Sequence, residues 1–416
     1  MTHPLIQNDA TVLGVLIIVL ALIFYTSSLE NKFWKKFYTY IPSLLLCYFI
    51  PSILNSMGVI SGEDSGLYHV ASRYLLPASL VLLTLSIDLK GIMNLGPKAI
   101  IMFLSGTFGV VVGGPLTILF LSYMNLWFGW AVVDILPDDL WRGFSTVAGS
   151  WIGGGANQTA MKEMFKCGDE LFSAMITVDV LVANVWMAFL LYGAGRAESV
   201  DRFFKADASA IEELKEKLIN YQKSVAKMPE LKDLMAILAV GLGVTGLSHI
   251  FADVLAPFIE QNYPLLGRFS LTSKFFWIIV VATTGGVILS FTKTRQLEGY
   301  GASRLGSVFI YILVATIGMK MNALAIFENP GLFVLGGLWM LIHVIILLAT
   351  AKLIKAPFFF TAVGSKANIG GAASAPIVAS AFHPSLAPVG VLLAVLGYAL
   401  GTYAAWICAM LMQFAS

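Results

Sequence analysis

Two short stretches of the chain, 149–160 (GSWIGGGANQTA) and 364–375 (GSKANIGGAASA), place glycines and small polar residues inside long apolar segments. Such residues interrupt a membrane helix, and the backbone groups that an interruption frees must be satisfied by protein, water, an ion or a solute. Freed carbonyl ends favour cations such as Na⁺, and freed N-terminal ends of half-helices favour anions. The two stretches therefore predict binding sites within a membrane.

Side-chain oxygens in and near these stretches are ligands of the type that hard cations use. Close packing of small residues between helices is the alternative explanation of such a stretch, but two copies at matching positions favour ligand binding. Glycine pairs and triplets also permit the unwound backbone that a site of this kind needs. The predicted ion-binding residues are Ser150, Asn157, Gln158, Thr159, Asp179 and Asn368, and among them Asn157, Asp179 and Asn368 are the candidate Na⁺ ligands.

Two charged residues lie in apolar surroundings, where an unpaired charge is costly. Asp179 is predicted to bind Na⁺ or carry a proton, whereas an inert, hydrogen-bonded aspartate at a helix contact is the alternative. Lys366 is predicted to attract an anionic solute or to pair with Asp179, whereas a lysine that extends to the membrane interface is the alternative. The residues predicted to contact a solute are Trp151, Gly153, Gly154, Gly155, Ser365, Lys366, Gly370, Gly371 and Ser374.

The elements that must position these residues are membrane helices, because 58% of the 416 residues are hydrophobic and only 12% are charged. Apolar runs long enough to span a bilayer recur along the whole chain. We therefore predict an all-α polytopic membrane protein, with about six spans in 1–194 and about six in 232–416. The hydrophilic segment 195–231 is predicted to be a connector that contains a short amphipathic helix.

The two halves of the chain match in the order of their features, which predicts two structural repeats with one discontinuous helix in each. SIDLK at 86–90 corresponds to TIGMK at 316–320, and in each half an apolar segment and then a glycine-rich break follow. Internal repeats in a polytopic membrane protein favour a secondary transporter, because alternating access needs two related halves around one site.

Connections rich in positive charge are predicted to face the cytoplasm, and this requires the second half to be inverted relative to the first. Six spans in each half would instead make the halves parallel, so we expect one miscounted segment. The suspected segment is 232–265, whose glycines fit a surface or re-entrant piece. The positive residues are Lys32, Lys35, Lys36, Lys90, Lys98, Lys293, Arg295, Arg304, Lys352 and Lys355.

The segments GSWIGGGAN (149–157), SKANIGGAASAP (365–376) and LAPVGVLLAVLGYALGTYAAW (386–406) resemble the bacterial membrane family known as domain of unknown function 819, or YjcL-like. Its layout is similar to that of bile-acid/sodium symporters and Na⁺/H⁺ antiporters. The resemblance implies two discontinuous helices, at GGGAN and NIGGAAS, that cross at the membrane centre in a core domain moving against a panel domain. It also places Asp179 in the helix after the first crossing. A single aspartate there, instead of an acidic pair, argues against cation/proton antiport.

These features together predict a secondary active transporter of the bacterial inner membrane that couples Na⁺ or H⁺ to symport of a small organic solute. Lys366 and the half-helix N-termini favour an anionic solute. A cation/proton antiporter and a passive channel or facilitator are the alternatives. Zinc, phosphate-loop, dinucleotide-binding and nucleophile motifs are absent from the sequence, so we expect neither an enzyme nor a cofactor other than the coupling ion. The expected partners are the solute and the lipid bilayer, not nucleic acid, and the resemblance implies a homodimer.

Overall fold

The computed structural model describes residues 4–41, 43–62, 65–128, 137–206, 228–269, 271–320, 330–383 and 386–416. Every regular element in these ranges is helical, which confirms the all-α prediction. Most of the predicted amphipathic connector, residues 207–227, lies outside the described residues.

The helices of the first half begin and end at residues that the local sequence explains. Asn8 caps the first helix by accepting hydrogen bonds from the backbone N–H groups of Ala10 and Thr11. Pro77 stands in the first turn of its helix, where no N–H partner is required. The helices are α1 (Asp9–Ser28), α2 (Lys32–Tyr40), α3 (Ser43–Ser56), α4 (Leu67–Val70), α5 (Leu76–Leu85), α6 (Leu89–Asn94), α7 (Pro97–Phe128), α8 (Pro137–Phe165), α9 (Asp169–Ala194) and α10 (Ala197–Phe204), with a π turn at Ala71–Leu75.

The second half begins with an uninterrupted helix of 32 residues, Leu231–Asn262, which a capping box of Glu230 and Asp233 starts. The suspicion that 232–265 contains a re-entrant piece is therefore wrong, because its glycines lie inside continuous helix. The helices are α11 (Leu231–Asn262), α12 (Lys274–Ser290), α13 (Ala302–Gly318), α14 (Gly331–Leu353), α15 (Phe358–Asn368), α16 (Gly371–Phe382) and α17 (Ala387–Ala415), with 3₁₀ turns at Pro264–Phe269 and Lys293–Tyr300.

Six helices of the described chain are long and apolar enough to cross a membrane, namely α1, α7, α9, α11, α14 and α17. Shorter apolar helices lie at Leu45–Ser56 and Ala302–Gly318, and α12 joins the 3₁₀ turn Lys293–Tyr300 at a 95° bend. The polytopic membrane class is thereby confirmed, although among the described residues only six helices, and not twelve, have the length and hydropathy of a complete span.

The helices pack into two groups. In the panel group, α5 packs against α12 and α13, α1 packs against α3, and α11 packs against α12. In the core group, α7 packs against α14 and α15, and α17 packs against α8 and α16. The glycine-rich stretches both belong to the core group, so this group contains the candidate site.

The first glycine-rich stretch turns the chain back on itself. At Gly154 the backbone adopts φ 73° and ψ −173°, which glycine tolerates because it has no Cβ. The two ends of α8 then lie side by side: the Trp141 and Phe165 ring centroids are 5.4 Å apart, and the Arg142 guanidinium donates to the Phe165 carbonyl at 2.5 Å. We call this element hairpin 1, with arms 137–153 and 155–165.

The second stretch also reverses the chain. Gly370, with φ 101°, separates α15 from α16, and the Phe382 ring at the end of α16 lies 6.0 Å from Phe358 and 5.3 Å from Phe359 at the start of α15. With 11 residues, α15 is about 16 Å long at 1.5 Å per residue. That is roughly half the hydrocarbon thickness of a bilayer. We call α15 and α16 together hairpin 2.

The predicted crossings of two discontinuous helices are therefore corrected to two re-entrant hairpins. A glycine-rich break in the sequence shows where a helix stops, but the next helix can continue or return, and packing decides between these paths. Each hairpin ends on the side where it began. Removing the two hairpins from the twelve predicted spans would leave five in each half, and an odd number is what the inverted orientation predicted from the charge bias requires.

We expect cysteines at the two ends of hairpin 2 to be labelled from the same side of the membrane. Lys355 and His383 are exposed at its base, and Lys166 is exposed at the base of hairpin 1. A membrane-impermeant maleimide should modify Lys355→Cys and His383→Cys only in inside-out vesicles, and Lys166→Cys only in intact cells. The native Cys47, Cys167 and Cys408 are buried and give a low background. Labelling of the two hairpin 2 positions from opposite sides would contradict the re-entrant path.

Candidate functional site

The tips of the two hairpins meet at one residue of α17. A Cβ added at Gly154 would lie 3.4 Å from the Tyr398 ring, and a Cβ added at Gly371 would lie 3.9 Å from the Tyr398 hydroxyl. The chain thus brings together two stretches that are more than two hundred residues apart in sequence.

Asp179 connects α9 to both arms of hairpin 1. Its carboxylate is buried and accepts hydrogen bonds from Trp151 Nε1 at 2.7 Å and from Gln158 Nε2 at 3.1 Å, and the Ser150 hydroxyl is a third donor. All three donors are neutral. This is a buried carboxylate that the described residues surround with dipoles and do not pair directly with a cation.

Lys366 connects hairpin 2 to the same helix. The side chain is buried, and its Nζ donates to the Ala183 carbonyl at 3.0 Å, one turn beyond Asp179 on α9. Among the described ion pairs there is none between Lys366 and Asp179. The direct pairing is therefore absent from the described ion pairs, and both side chains are buried inside the protein.

Asn157 fixes hairpin 1 to α17. Its Nδ2 donates to the Gly153 carbonyl at 3.0 Å and to the Tyr398 carbonyl at 3.2 Å, and its Oδ1 accepts from Thr402 Oγ1 at 2.6 Å. Close backbone packing accompanies these bonds, because a Cβ at Gly401 would lie 2.5 Å from Gly153 Cα. The amide side chain thus joins the hairpin tip to two successive turns of the neighbouring helix.

Asn368 fixes hairpin 2 to α7 by the same pattern. Its Nδ2 donates to the Gly364 and Phe103 carbonyls, both at 2.9 Å, and its Oδ1 accepts from Thr107 Oγ1 at 2.7 Å. We call each of these two arrangements a clamp. In both clamps the asparagine side chain bonds the backbone carbonyl four residues before it. It also bonds a carbonyl and a threonine hydroxyl that lie four residues apart on the neighbouring helix. In this structure the two predicted Na⁺ ligands therefore hold the hairpins, and their role as ion ligands stays a prediction.

We expect Thr402→Val and Thr107→Val to lower the apparent Tm in detergent, because each change leaves a buried amide oxygen without its donor. A buried polar group that loses its partner costs about 1–3 kcal/mol. Thr117→Val is the matched control, since Thr117 is also buried and its hydroxyl, among the described residues, bonds the Gly113 carbonyl of its own helix alone. Equal Tm shifts for all three variants would show that the clamps do not stabilise the hairpins.

The other predicted residues have varied environments. Thr159 donates to the Gly155 carbonyl of its own arm at 3.0 Å, which leaves it as a local helix contact. Ser365 is buried and accepts from Trp186 Nε1 at 2.8 Å. Ser374 has a buried hydroxyl oxygen that makes no hydrogen bond in the structure. Of this group, only Ser374 presents an unused polar atom at a hairpin tip.

A cavity of about 690 Å³ leads from the C-terminal end of α5 to Tyr398. At its mouth Arg295 Nη2 pairs with Asp88 Oδ2 at 2.7 Å, and burial raises the pKa of Glu298 while hydrogen bonds from Ser303 oppose that shift. The base of hairpin 2 lies at the same end. Polar lining residues of the cavity include Ser86, Asp88, Thr292, Lys293, Arg295, Gln296, Glu298, Ser303 and Ser307.

At the opposite end of α5, a charged network joins the panel group to the base of hairpin 1. The Tyr68 hydroxyl donates to Glu163, Arg73 Nη2 pairs with Glu163 at 3.1 Å, and Lys162 Nζ pairs with Asp169 at 2.6 Å. Lys162 also lies over the Tyr68 ring. The hairpin bases thus lie at opposite ends of the panel group, with an open cavity at one end and a closed network at the other.

Residues 14–414 match the family described as "Protein of unknown function (DUF819)". The chain belongs to this family. It is also 25% identical over 418 residues to "Uncharacterized membrane protein YjcL" of Bacillus subtilis (strain 168), with 96% of each chain covered. The DUF819 match includes both hairpins, so the resemblance inferred from their glycine-rich tips is confirmed.

Several residues at the centre of this DUF819 protein were not predicted from sequence. His343 is buried, and because its Nδ1 faces the Gly106 carbonyl at 3.0 Å, that nitrogen carries the hydrogen and Nε2 accepts from Ser365 at 2.8 Å. An ionisable residue in an apolar run was the available signal for His343. Thr107, Trp186, Tyr398 and Thr402 gave no such signal, because each is an ordinary residue of a membrane helix.

Proposed function

We propose that this membrane protein is a secondary active transporter that couples Na⁺ or H⁺ to the symport of a small organic solute. The observation that carries the proposal is the meeting of two hairpin tips at Tyr398, with a buried carboxylate of α9 bonded to one hairpin and a buried ammonium on the other. Interrupted helices that meet inside a membrane and line a cavity are the usual ligand sites of secondary transporters.

The two ends of the protein support an alternating-access cycle. On one side the cavity reaches Tyr398, the residue at which the hairpin tips meet, and on the other side the network of Tyr68, Arg73 and Glu163 joins the panel group to hairpin 1. Movement of the core group against the panel group would break this network and close the cavity. Because the network contacts hairpin 1 directly, its opening is tied to the position of that hairpin.

Helix α9 offers a route for coupling. Asp179 bonds hairpin 1, and Ala183, one turn later, bonds Lys366 of hairpin 2. A cation at Asp179 would change the bonds that hold hairpin 1, and a solute at Lys366 would change the bond that holds hairpin 2. Each ligand would then alter the affinity of the other by the same factor.

The test begins with the apparent Tm of purified protein in NaCl, KCl and choline chloride at equal ionic strength. A rise specific to Na⁺ supports sodium coupling, because a ligand that binds only the folded state stabilises it. Proteoliposomes with imposed Na⁺ or proton gradients then distinguish the alternatives. Solute uptake without any gradient requirement would indicate a passive facilitator, and Na⁺/H⁺ exchange without a solute would indicate an antiporter.

A further inference from the structure

We infer that the tip of hairpin 2 binds a carboxylate group, and that the solute of the proposed transporter is an organic monoanion or carries such a group. The inference rests on the proposed function for its biological setting. The binding site itself is argued from the contacts of Lys366, Gly370 and Ser374.

The Lys366 ammonium is a buried charge that its surroundings do not balance. The side chain is 2% exposed, and the described hydrogen bonds give it one neutral partner, the Ala183 carbonyl. An ammonium has three donors, so two remain for a ligand. The nearby Asp179 carboxylate is already held by Trp151 and Gln158. Asp179 therefore acts on the ammonium only through space and makes no direct ion pair with it among the described residues, so an anion in contact with Nζ would add a stabilising interaction that the site lacks.

The Ser374 hydroxyl lies at the same end of hairpin 2 as the Lys366 ammonium. Its oxygen is buried and makes no hydrogen bond. A Cβ added at Gly370 would overlap Ser374 Oγ and lie 3.4 Å from Lys366 Nζ, so both polar atoms face the space beside Gly370. Glycine at this position lets the Ser374 hydroxyl and the Lys366 side chain approach the backbone closely, where any Cβ would overlap the hydroxyl.

The start of α16 adds to the positive electrostatic potential that the Lys366 ammonium creates at the tip of hairpin 2. This helix of 12 residues begins at Gly371, and its first N–H groups and the positive end of its dipole lie at the hairpin tip. The stretch 364–375 contains no acidic residue. One ammonium, one hydroxyl and one helix N-terminus match a singly charged carboxylate, whereas a phosphate dianion would bring more charge than the single ammonium balances.

The polar cavity comes close to this tip at Tyr398, although Lys366, Gly370 and Ser374 are not among its lining residues. A Cβ at Gly371 would lie 3.9 Å from the Tyr398 hydroxyl, and Tyr398 lines the inner end of the 690 Å³ cavity. The cavity mouth carries Lys293 and Arg295 beside Asp88 and Glu298, so it contains cationic groups that an approaching carboxylate can contact.

The experiment measures the apparent Tm of the full chain in choline acetate, choline lactate, choline succinate, choline phosphate and choline chloride, without Na⁺. We expect a saturable rise with at least one carboxylate over chloride at equal ionic strength. Lys366→Met should abolish the rise, and Lys352→Met, an exposed lysine at the end of α14, should retain it.

Ser374→Ala separates binding from folding, because its hydroxyl has no partner to lose. We expect it to keep the wild-type Tm in choline chloride and to weaken carboxylate affinity by about tenfold or more, the loss of one hydrogen bond to a charged group. No rise with any carboxylate, a rise with phosphate alone, or a rise unchanged in both variants would overturn the inference. A Na⁺-specific rise in those same preparations would leave the transport proposal standing, so the two failures are distinguishable.

Discussion

Asp179→Asn is expected to abolish the Na⁺-specific rise in apparent Tm and to reduce gradient-driven uptake to background. At a Na⁺ concentration about 100 times its Kd, a specific site stabilises the folded state by about 2.7 kcal/mol, and this increment should disappear. Asparagine has nearly the shape of aspartate but lacks the negative charge. If protons are the coupling ion, the same variant imitates the protonated carboxyl and should hold the transporter in one step of its cycle.

Asp179→Asn also lowers the stability of the folded protein, and this effect can be measured separately from the effect on ion binding. Trp151 and Gln158 both donate to Asp179, so the amide N–H₂ of asparagine would face one of these donors. A lost buried hydrogen bond costs about 1–3 kcal/mol, which lowers the Tm in every salt alike. The ion response is therefore read as the difference between NaCl and choline chloride for the same variant.

Asp253→Asn is the matched control for the charge change. Asp253 lies on α11, is largely exposed and pairs with Lys274 at 2.9 Å. We expect this variant to retain the Na⁺ response in full. A Na⁺ response that survives in Asp179→Asn would remove Asp179 from the ion site, and its loss in both variants would point to a general effect of surface charge.

Gly153→Ala is expected to be a strongly destabilising methyl addition in hairpin 1. A Cβ at this position would overlap the Asn157 amide and lie 2.8 Å from Gly401 Cα, so the hairpin tip would separate from α17. Overpacking of a well-packed interior costs about 1–3 kcal/mol or more, and here it also breaks the Asn157 clamp. The measurement is the apparent Tm together with the yield of folded protein in detergent.

Gly155→Ala is the control, two residues away in the same triplet. A Cβ at Gly155 would have no neighbour within 4 Å, and the backbone φ of Gly155 does not lie in the left-handed region. We expect an unchanged or slightly higher Tm, because alanine is favoured over glycine in a helix by up to about 1 kcal/mol. If both alanine variants behaved alike, the close approach of Gly153 to Gly401 would not be what fixes the hairpin.

The sequence by itself determined the class of this protein and the location of its unusual residues. Hydropathy and composition are local properties, so they identify membrane helices without knowledge of the packing. The same holds for the two glycine-rich breaks and for Asp179 and Lys366, since a charge or a helix breaker in an apolar run is visible in any fold.

Only the tertiary structure decided what the breaks do. The left-handed backbone at Gly154 and Gly370 reverses the chain, whereas the sequence fits a crossing equally well. Asn157 and Asn368 find their partners on helices more than two hundred residues away, so no local pattern separates a clamp from an ion ligand. Whether a polar group is satisfied or free depends on such distant contacts, and for that reason Ser374 becomes a candidate ligand only in the folded chain.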